Sequence, residues 1–137
     1  MRAWLVAAGL MALSVGVAAA DEAALGIKVH KQSGINYITG GGGDTKQAFE
    51  QVRGRYPVHV QITVGGEHVD PGPVRITLRD VKGEAQVEAD AEGPLFFINP
   101  PSGRWTVEAE RNGEKLAKTS DLTGRRYLVI DFDFSKP

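Results

Sequence analysis

The stretch "VRITLRDVKGEAQVEADAEGPLFFINPPSGRWTVEAERNG", residues 74–113, holds four short runs of strand-forming residues separated by turn motifs. In the first run, Val74, Ile76 and Leu78 alternate with polar residues, which is typical of a β-strand with one buried face. The motifs "DVKGE", "DAEGP" and "NPPSG" supply the turns between runs. Asn112-Gly113 closes the stretch with a strong hairpin signal, because both residues tolerate the positive φ of a type I′ turn. The stretch therefore predicts short antiparallel strands.

The same period of two continues on both sides of this stretch. Val58 to Val64 alternate before it, and two further strands are predicted after it, at residues 115–118 and 126–134. Seven strands with no helical pattern among them predict a mainly β fold, a seven-stranded antiparallel Greek-key sandwich of the prealbumin or immunoglobulin type. We assign residues 57–137 to this β-sandwich domain. Residues 21–56 are predicted to be an N-terminal segment with a glycine-rich loop and one short helix.

The N-terminal segment contains "YITGGGGDTKQAFEQV", residues 37–52, in which four glycines precede a helical pattern. A phosphate-binding loop needs Gly-Lys-Ser/Thr at its end, whereas Asp44 stands here where the phosphate would sit. The dinucleotide fingerprint also lacks its third glycine. A small-anion site at the helix N-terminus is a further alternative, which Asp44 disfavours. The pattern favours a structural loop whose glycines allow positive φ and a close backbone approach.

The helix after the glycines is predicted from its cap and its apolar face. Asp44 and Gln47 have the spacing of a capping box, and Gly54 supplies a stop signal. Phe49 and Val52 fall on one face, together with Ala48. A helix this short needs a docking surface, and a further strand around residues 35–39 is expected to pack with it against a sheet edge.

The first twenty residues have the pattern of a secretory signal peptide. Arg2 precedes an uncharged, mostly apolar run at residues 3–17, and Ala18-Ala19-Ala20 gives a small-residue cleavage site. The alternative is a membrane anchor, but a spanning helix needs about 20 apolar residues. We predict a periplasmic or secreted protein with residues 1–20 removed and no membrane span after cleavage.

Charge and cysteine content narrow the classes of partner. The chain has 16 Lys and Arg against 17 Asp and Glu, a formal net charge of −1, with both signs interspersed. This balance predicts neither a nucleic-acid nor an anionic-membrane partner. The absence of cysteine excludes disulfides and the lipid-modified cysteine of an anchored precursor. The oligomeric state is left open.

Residues 74–113 resemble the carboxypeptidase regulatory-like, or transthyretin-like, family of β-sandwich domains. The matching features are the turn glycine Gly83, the "D.G" turn at residues 90–93 and the aromatic strand that follows. The family element "PPG.Y.V.A" is matched at residues 100–109, with Ser102 inserted and Trp105 in place of tyrosine. With "GINYITGGGGD" at residues 34–44, the chain is similar to small exported proteobacterial proteins of this kind. The resemblance implies a seven-stranded prealbumin-like sandwich and no defined activity.

The three histidines are the candidate metal ligands of the sequence. His59 lies at a polar strand position and His68 in the following loop, so the two would meet only if the loop folds back; His30 lies in the N-terminal segment. No carboxylate stands at ligand spacing, and zinc and copper sites need a fuller ligand set. We therefore expect solvent-facing histidines and no metal site, with a metal-binding pair as the alternative.

The acidic residues give no catalytic pattern. Asp131 and Asp133 lie two apart on one strand face, with Asp121 nearby in sequence, whereas a catalytic pair needs two acids that face each other across a cleft. A loose calcium site lacks the known loop spacing. A solvated face or a guarded strand edge is the favoured interpretation.

No serine stands in a Gly-x-Ser-x-Gly elbow. Transthyretin-like hydroxyisourate hydrolases end in Tyr-Arg-Gly-Ser, but this chain ends in "DFDFSKP", so no catalytic residue carries over. Trp105 is expected to anchor the core rather than stack on a sugar, and Tyr56 and Tyr127 are expected to be exposed. The basic pairs are too small for a nucleic-acid footprint. The serines are Ser33, Ser102, Ser120 and Ser135, and the basic pairs are Arg125-Arg126 and Arg53-x-Arg55.

These features predict an exported, non-enzymatic interaction or accessory module of the cell envelope, with no catalytic, cofactor-binding or metal residue and no cofactor. Its binding surface is expected at a sheet edge or at the loops of one end, residues 65–73 and 99–103. The alternative is a small-ligand, glycan or metal-binding protein that uses His59, His68 and an exposed tyrosine. A hydrolase is a third possibility, carried only by the fold.

Overall fold

The computed structural model describes residues 22–124 and 127–135. The predicted signal peptide, residues 1–20, and the pair Arg125-Arg126 lie outside the described residues. A seven-residue helix, α1 (Lys46–Val52), is flanked by 3₁₀ turns at Gly43–Thr45 and Arg53–Arg55. The strands are β1 (His30–Gln32), β2 (Ile35–Gly40), β3 (Val58–Val64), β4 (Val74–Arg79), β5 (Ala85–Ala91), β6 (Leu95–Asn99), β7 (Arg104–Arg111), β8 (Glu114–Asp121) and β9 (Leu128–Phe134).

The strands form two sheets, so a mainly β fold of two layers is confirmed. Sheet A has the order β1-β2-β6-β3-β9, and sheet B has the order β5-β4-β7-β8. The predicted count of seven was wrong: seven strands lie between Val58 and Phe134, but an N-terminal hairpin adds β1 and β2 to the edge of sheet A. The three residues of β1 are polar throughout, so they give no alternation that the sequence could reveal.

The pairing is antiparallel except at β3 and β9, which run parallel over seven residue pairs from Val58↔Leu128 to Val64↔Phe134. The prediction of a wholly antiparallel sandwich was therefore wrong. Successive strands from β3 to β9 alternate in direction, so the first and seventh of them must run the same way. They become neighbours because both belong to sheet A, and their contact is parallel.

The inner faces of the two sheets share one hydrophobic core. Val60 and Ile62 of β3 pack with Ile76 and Leu78 of β4, and all four are fully buried. Apolar side chains at alternate positions of facing sheets are the ordinary way in which a sandwich buries its core. The predicted inward set of β9 is confirmed, and it comprises Leu128, Ile130, Phe132 and Phe134.

A second hydrophobic cluster lies on the outer face of sheet A, beneath α1. Phe49 and Val52 of α1 are buried against Ile38 of β2 and Phe97 of β6, and Tyr56 completes the group. The Phe49 and Phe97 rings meet edge to face with centroids 5.5 Å apart. The predicted apolar face of the helix is thus confirmed, and its docking surface is the sheet.

The predicted helix ends were wrong in detail. Asp44 does not cap α1, because the chain first makes a 3₁₀ turn in which Asp44 is the middle residue. Neither Gly42 nor Thr45, which precede the two helical segments, makes a side-chain capping bond, and the Thr45 hydroxyl instead donates to the Gly42 carbonyl over 2.8 Å. Gly54 lies inside the second 3₁₀ turn and does not end the helix.

The N-terminal hairpin closes one side of the sandwich. The Gln32 side-chain amide donates to the Glu88 carbonyl over 2.9 Å, and its oxygen accepts the Glu88 amide over 2.9 Å. The Thr39 hydroxyl likewise donates to Leu95 and accepts from the Glu92 amide. Gln32 therefore occupies the free edge of β5 as the backbone of a neighbouring strand would.

We expect the Gln32→Ala substitution to lower the free energy of unfolding by about 1–2 kcal/mol, because it leaves both hydrogen-bonding groups of Glu88 without their partner. Urea denaturation at 25 °C measures this change. The matched control is Gln51→Ala on the exposed side of α1, for which we expect a change within about 0.5 kcal/mol. Equal effects of the two substitutions would contradict the bridging role of Gln32.

Within the described ranges, no helix combines the length and the apolar character needed to cross a membrane.

Candidate functional site

Three loops meet at the end of sheet A where β3 finishes. The registers Gln61↔Leu95 and Gly40↔Leu95 place the end of β3 and the end of β2 beside the start of β6. Three loops therefore lie at this end of sheet A: the glycine loop that follows β2, the β3–β4 loop and the β5–β6 turn. The β6–β7 loop, residues 99–103, lies at the opposite end, because Val58 at the start of β3 pairs with Ile98. The prediction that residues 65–73 and 99–103 share one end was wrong.

The glycine loop lies closer to the β5–β6 turn than any side chain would allow. A Cβ on Gly93 would stand 2.5 Å from the Gly40 carbonyl oxygen, and a Cβ on Gly41 would overlap the Leu95 side chain. Gly41 also has a φ of +79°, which L-residues rarely adopt. The predicted structural role of the glycines, positive φ together with a close backbone approach, is confirmed.

A cleft of about 490 Å³ opens between these loops. Its walls are the glycine loop at residues 41–43, the β3–β4 loop at residues 68–70 and the β5–β6 turn at residues 92–94. Leu95 and Val69 add apolar surface, and Val69 is 45% exposed. A concave site of this volume is within the range of small-ligand pockets.

The polar side chains around the cleft carry both signs of charge. Lys46 of α1 lies on the glycine-loop side, and Asp70 and Glu92 come from the other two loops, with His68 beside Asp70. The Asp70 carboxylate accepts the Gly72 amide over 3.0 Å, which holds the loop in a tight turn. Lys46 and Glu92 form no ion pair within the described part of the chain. The cleft thus presents apolar surface between one cation and two anions.

The β3–β4 loop is held in place by Asp133 of β9. Its carboxylate accepts the Gly66 amide over 2.7 Å and the Thr63 hydroxyl over 2.8 Å. These two hydrogen bonds, the Gly66 amide first, lower the pKa of Asp133 below its ordinary value. Asp133 is therefore a loop-positioning residue, a role that its place on an exposed strand face did not reveal.

The described residues around the cleft include a single histidine and no metal-binding cluster. The one imidazole at the cleft, His68, comes from an exposed loop. Across residues 22–124 and 127–135, no group of three or more His, Cys, Asp or Glu side chains is placed to hold a metal ion. A second, shallower cleft of about 330 Å³ lies at the other end of sheet B, but its Arg79 is already bound to Glu108 and to the Gly83 carbonyl.

The histidines are placed differently from one another. The prediction of a solvent-facing His59 was wrong: it is 2% exposed, its Nε2 lies 2.8 Å from the Arg53 carbonyl, and its ring packs on Phe97 at 4.5 Å. The reason is α1 and its 3₁₀ turn, which cover the outer face of sheet A there. His68 lines the cleft, and His30 stacks on Tyr37.

The other residues singled out from the sequence have structural places. Trp105 is half-buried against the core, and its indole donates to the Pro101 carbonyl over 2.9 Å. Tyr127 is 54% exposed, as predicted.

The acidic and serine residues lie at the surface or in turns. Asp131 is exposed on the outer face of β9, and Asp121 accepts the Thr123 amide over 2.8 Å. Ser135 donates to Glu114, whereas Ser33 holds a φ of +51° in the β1–β2 turn.

The prediction of an exposed Tyr56 was wrong. Tyr56 is 3% exposed, and its phenol donates over 2.8 Å to the Glu22 carboxylate, which is itself buried and pairs with Arg55 over 3.0 Å. Burial, followed by the hydrogen bond to Glu22 and its negative charge, raises the pKa of Tyr56 well above the ordinary value of 10.0. The described N-terminus is thereby fixed to the outer cluster of sheet A.

We expect the free energy of unfolding to fall as the pH rises above 10. In the unfolded chain Tyr56 loses its proton near pH 10.0, whereas the folded protein keeps it, so unfolding releases a proton and alkali favours it. The contribution of Tyr56 is complete below pH 10 and declines above it by up to about 1.4 kcal/mol per pH unit. Urea denaturation between pH 8 and about pH 11.5 measures the decline.

The Tyr56→Phe variant is the control for this pH dependence. It should be less stable at neutral pH, because the buried Glu22 carboxylate loses a donor, but its alkaline decline should be shallower than that of the wild-type protein. Parallel declines in the two proteins would contradict the buried, protonated state of Tyr56.

No protein-family model matches this chain, and no curated protein shows detectable similarity to it.

The residues that build the site gave weak signals in the sequence. Lys46 and Glu92 stand in no recognisable motif, and only their placement on loops that meet in space brings them together. Thr39 lies in a predicted strand, whereas Gln32 lies in a polar three-residue strand that no sequence pattern indicates. The glycine run was the one strong signal. It lies at the cleft because its backbone approaches the β5–β6 turn closely, and it does not form a phosphate-binding motif.

Proposed function

We propose that this chain is an exported, non-enzymatic binding module of the cell envelope that holds a segment of a partner protein in the cleft at the end of sheet A. The observation that carries the proposal is the cleft itself, an open site of about 490 Å³ built from three loops that the sheet holds rigidly at one end. Loops on a rigid scaffold are a common place for recognition.

The composition of the cleft indicates the kind of segment it would accept. Val69 and Leu95 offer apolar surface, while Lys46 on one side and Glu92 on the other offer opposite charges. A short peptide loop with an apolar side chain flanked by polar or charged groups matches this pattern. The exposed Val69 would become buried on binding, as expected of an anchor at the centre of an interface.

We also propose that the protein is exported and that its sandwich is transthyretin-like. The signal-peptide pattern of residues 1–20 supports a periplasmic or secreted location. The strand order β5-β4-β7-β8 opposite β6-β3-β9 supports a transthyretin-like, Greek-key sandwich extended by an N-terminal hairpin. That fold implies no defined activity, so the proposed binding role rests on the cleft.

The test is an affinity capture from the envelope of the producing organism, with tagged protein comprising residues 21–137. The Val69→Asp variant places a charge on the apolar part of the cleft. The Val81→Asp variant makes the same change at a valine that is 74% exposed, in the turn after β4 at the far end of the sandwich. We expect one stoichiometric partner with the wild-type protein and with Val81→Asp, and its loss with Val69→Asp. Retention of the partner by Val69→Asp, or no partner at all, would overturn the proposal.

A second candidate function is the binding of a small molecule, and the volume of the cleft favours it, since 490 Å³ is typical of small-ligand sites. A ligand at 100 times its dissociation constant would stabilise the folded protein by about 2.7 kcal/mol. Thermal unfolding with fractions of the low-molecular-mass envelope extract measures this effect. A rise in Tm that Val69→Asp abolishes and Val81→Asp retains would identify this function.

A further inference from the structure

The hairpin between β7 and β8 turns on only two residues, Asn112 and Gly113. Arg111 ends β7, Glu114 begins β8, and the two are register partners. The φ angles of Asn112 and Gly113 are +49° and +83°, and two positive values are the pattern of a type I′ turn. Both residues are exposed, and a Cβ on Gly113 would meet no heavy atom within 4 Å. The central peptide group of the turn therefore has room to rotate.

The turn places the two reacting groups of a cyclisation next to each other in the chain. Within the described residues, neither the carboxamide of Asn112 nor the backbone nitrogen of Gly113 has a hydrogen-bond partner. The nitrogen can attack Cγ of the carboxamide and close a five-membered imide. The N–Cγ bond forms, the Cγ–Nδ2 bond breaks, and ammonia leaves with the proton of the attacking nitrogen. Asparagine is among the chemically labile residues of proteins.

Water then opens the imide at one of its two carbonyl carbons. Addition at Cγ breaks the new N–Cγ bond and gives aspartate with an ordinary backbone. Addition at the backbone carbonyl carbon of residue 112 breaks its bond to the Gly113 nitrogen instead. The product is isoaspartate, in which the chain runs through the side chain and is longer by one carbon.

The observed turn holds the two reacting atoms apart, and the other common two-residue turn brings them together. The first central residue has a ψ of about +30° in a type I′ turn and about −120° in a type II′ turn, with the same positive φ. Bonds to N and Cβ lie about 120° apart around Cα, so the type II′ value places the Gly113 nitrogen beside Cβ of Asn112, as ring closure requires. Rotation of the 112–113 peptide group interconverts the turns. It reverses the φ of Gly113, which glycine accepts, and leaves the flanking strands paired.

The chain has two further asparagines, and neither can follow this route. Asn99 precedes Pro100, whose nitrogen carries no proton to lose. Asn36 lies in β2 and is paired on both sides, with Lys31 of β1 and with Asn99 of β6. Its backbone is therefore held in the extended conformation, with ψ far from the value that the imide needs.

The residues on the two sides of the turn hold the β3–β4 loop and the end of β9. The Arg111 Nε donates to the Pro71 carbonyl over 2.6 Å, and one of its terminal nitrogens donates to the Ser135 carbonyl over 3.4 Å. The Glu114 carboxylate accepts the Ser135 amide over 3.0 Å. An extra backbone carbon between Arg111 and Glu114 disrupts their pairing, because loop length and turn type fix the register of a hairpin. Isoaspartate in the turn therefore loosens both tethers.

We propose that Asn112 is a spontaneous modification site of the folded protein, converted to isoaspartate through a local flip of the 112–113 peptide group, and that the conversion loosens the β3–β4 loop. Water is the only co-reactant. The inference does not depend on what binds in the cleft, although the loosened loop is one of the cleft walls.

The first test compares the full-length protein, folded at mildly alkaline pH, with the same protein in concentrated urea. Peptide mapping by mass spectrometry follows asparagine, aspartate and isoaspartate at residue 112. We expect isoaspartate there and none at Asn36 or Asn99, at a rate that rises with pH because hydroxide removes the proton of the attacking nitrogen. A local flip into a strained turn slows the folded protein by at most about a hundredfold relative to urea. A route through global unfolding slows it by about a thousandfold or more.

The second test measures the consequence for the tethers by hydrogen exchange and NMR. The reporters are the Ser135 amide, which is bound to Glu114, and the Gly72 amide, which lies next to Pro71. We expect both amides to exchange about threefold or more faster once residue 112 is isoaspartate.

Two variants separate the longer backbone from other changes. Asn112→Gly keeps a turn with two positive φ values and has no carboxamide, so we expect its exchange to stay unchanged on ageing. Freshly prepared Asn112→Asp carries the charge of the product without the extra backbone carbon. We expect its Ser135 and Gly72 amides to exchange within about twofold of the fresh wild-type protein.

The proposal is overturned by any of three results. The first is a folded protein whose conversion at residue 112 is slower than in urea by about a thousandfold or more, since the reaction would then need global unfolding. The second is conversion of Asn36 as fast as that of Asn112. The third is unchanged exchange at Ser135 and Gly72 after residue 112 has become isoaspartate.

Discussion

The Gly93→Ala substitution is expected to lower the free energy of unfolding by about 3 kcal/mol. The new Cβ would stand 2.5 Å from the Gly40 carbonyl oxygen and 2.8 Å from the Gly40 carbonyl carbon. Both are backbone atoms, so no side-chain rotation relieves the overlap, and the β5–β6 turn must move away from the end of β2. That movement would also widen the cleft, because Gly93 forms part of its wall.

Urea denaturation at 25 °C checks this expectation against a second glycine. A Cβ on Gly54 would meet no heavy atom within 4 Å, and Gly54 lies in a 3₁₀ turn where it has no positive φ. We expect Gly54→Ala to stabilise the protein by about 0.5–1 kcal/mol, since alanine loses less chain entropy on folding. A Gly93→Ala protein as stable as the wild type would show that the two backbones do not meet as described.

The Phe97→Ala substitution is expected to lower the free energy of unfolding by about 4 kcal/mol. Phe97 is 3% exposed on the outer face of sheet A, where its ring centroid lies 5.5 Å from that of Phe49 and 4.5 Å from that of His59. Its removal leaves a cavity beneath α1 that neighbouring rings cannot fill without moving. The loss should therefore fall on the helix as well as on the whole fold.

Two measurements together check the Phe97 prediction. Urea denaturation gives the global change, and hydrogen exchange should show residues 46–55 opening before the strands do, because the outer cluster is separate from the core between the sheets. The Phe97→Leu variant retains most of the volume and should lose only about 1–1.5 kcal/mol. If Phe97→Ala loosened the core strands and α1 to the same extent, the outer cluster would not be an independent unit.

The strand positions between Val58 and Phe134 could be predicted because the pleat of a strand imposes a period of two on its buried residues. Asn112-Gly113 could be assigned to a hairpin for a similar local reason, and both residues have positive φ, of 49° and 83°. The parallel contact of β3 with β9 is not local. It depends on which sheet each strand joins, and alternation within a strand does not report that.

The outer face of sheet A shows why some burial was predicted wrongly. His59 and Tyr56 occupy positions that would be exposed on a bare sheet, and α1 with its 3₁₀ turns covers them. The run Leu95-Phe96-Phe97-Ile98 did carry this information, since consecutive apolar residues in a strand indicate that both of its faces are covered. Phe96 faces the core between the sheets, and Phe97 faces the helix.

The cleft could be predicted only in part. The glycine run is conspicuous in the sequence and residues 65–73 are predicted to be a binding loop, and both line the cleft. The two loops lie side by side because of the registers of β2, β3 and β6, which the sequence does not specify. The same registers send residues 99–103 to the other end, so the assignment of that loop to the same surface failed for the same reason.

The parallel pairing of β3 with β9 also determines when the fold can be completed during synthesis. Each residue of β3 is joined to a residue 70 positions later in the chain, as in Val58↔Leu128. A nascent chain that has not yet released its last ten residues therefore lacks one neighbour of a central strand, and contacts of such high sequence separation form slowly. Sheet A can therefore be completed only after residues 128–134 have left the ribosome.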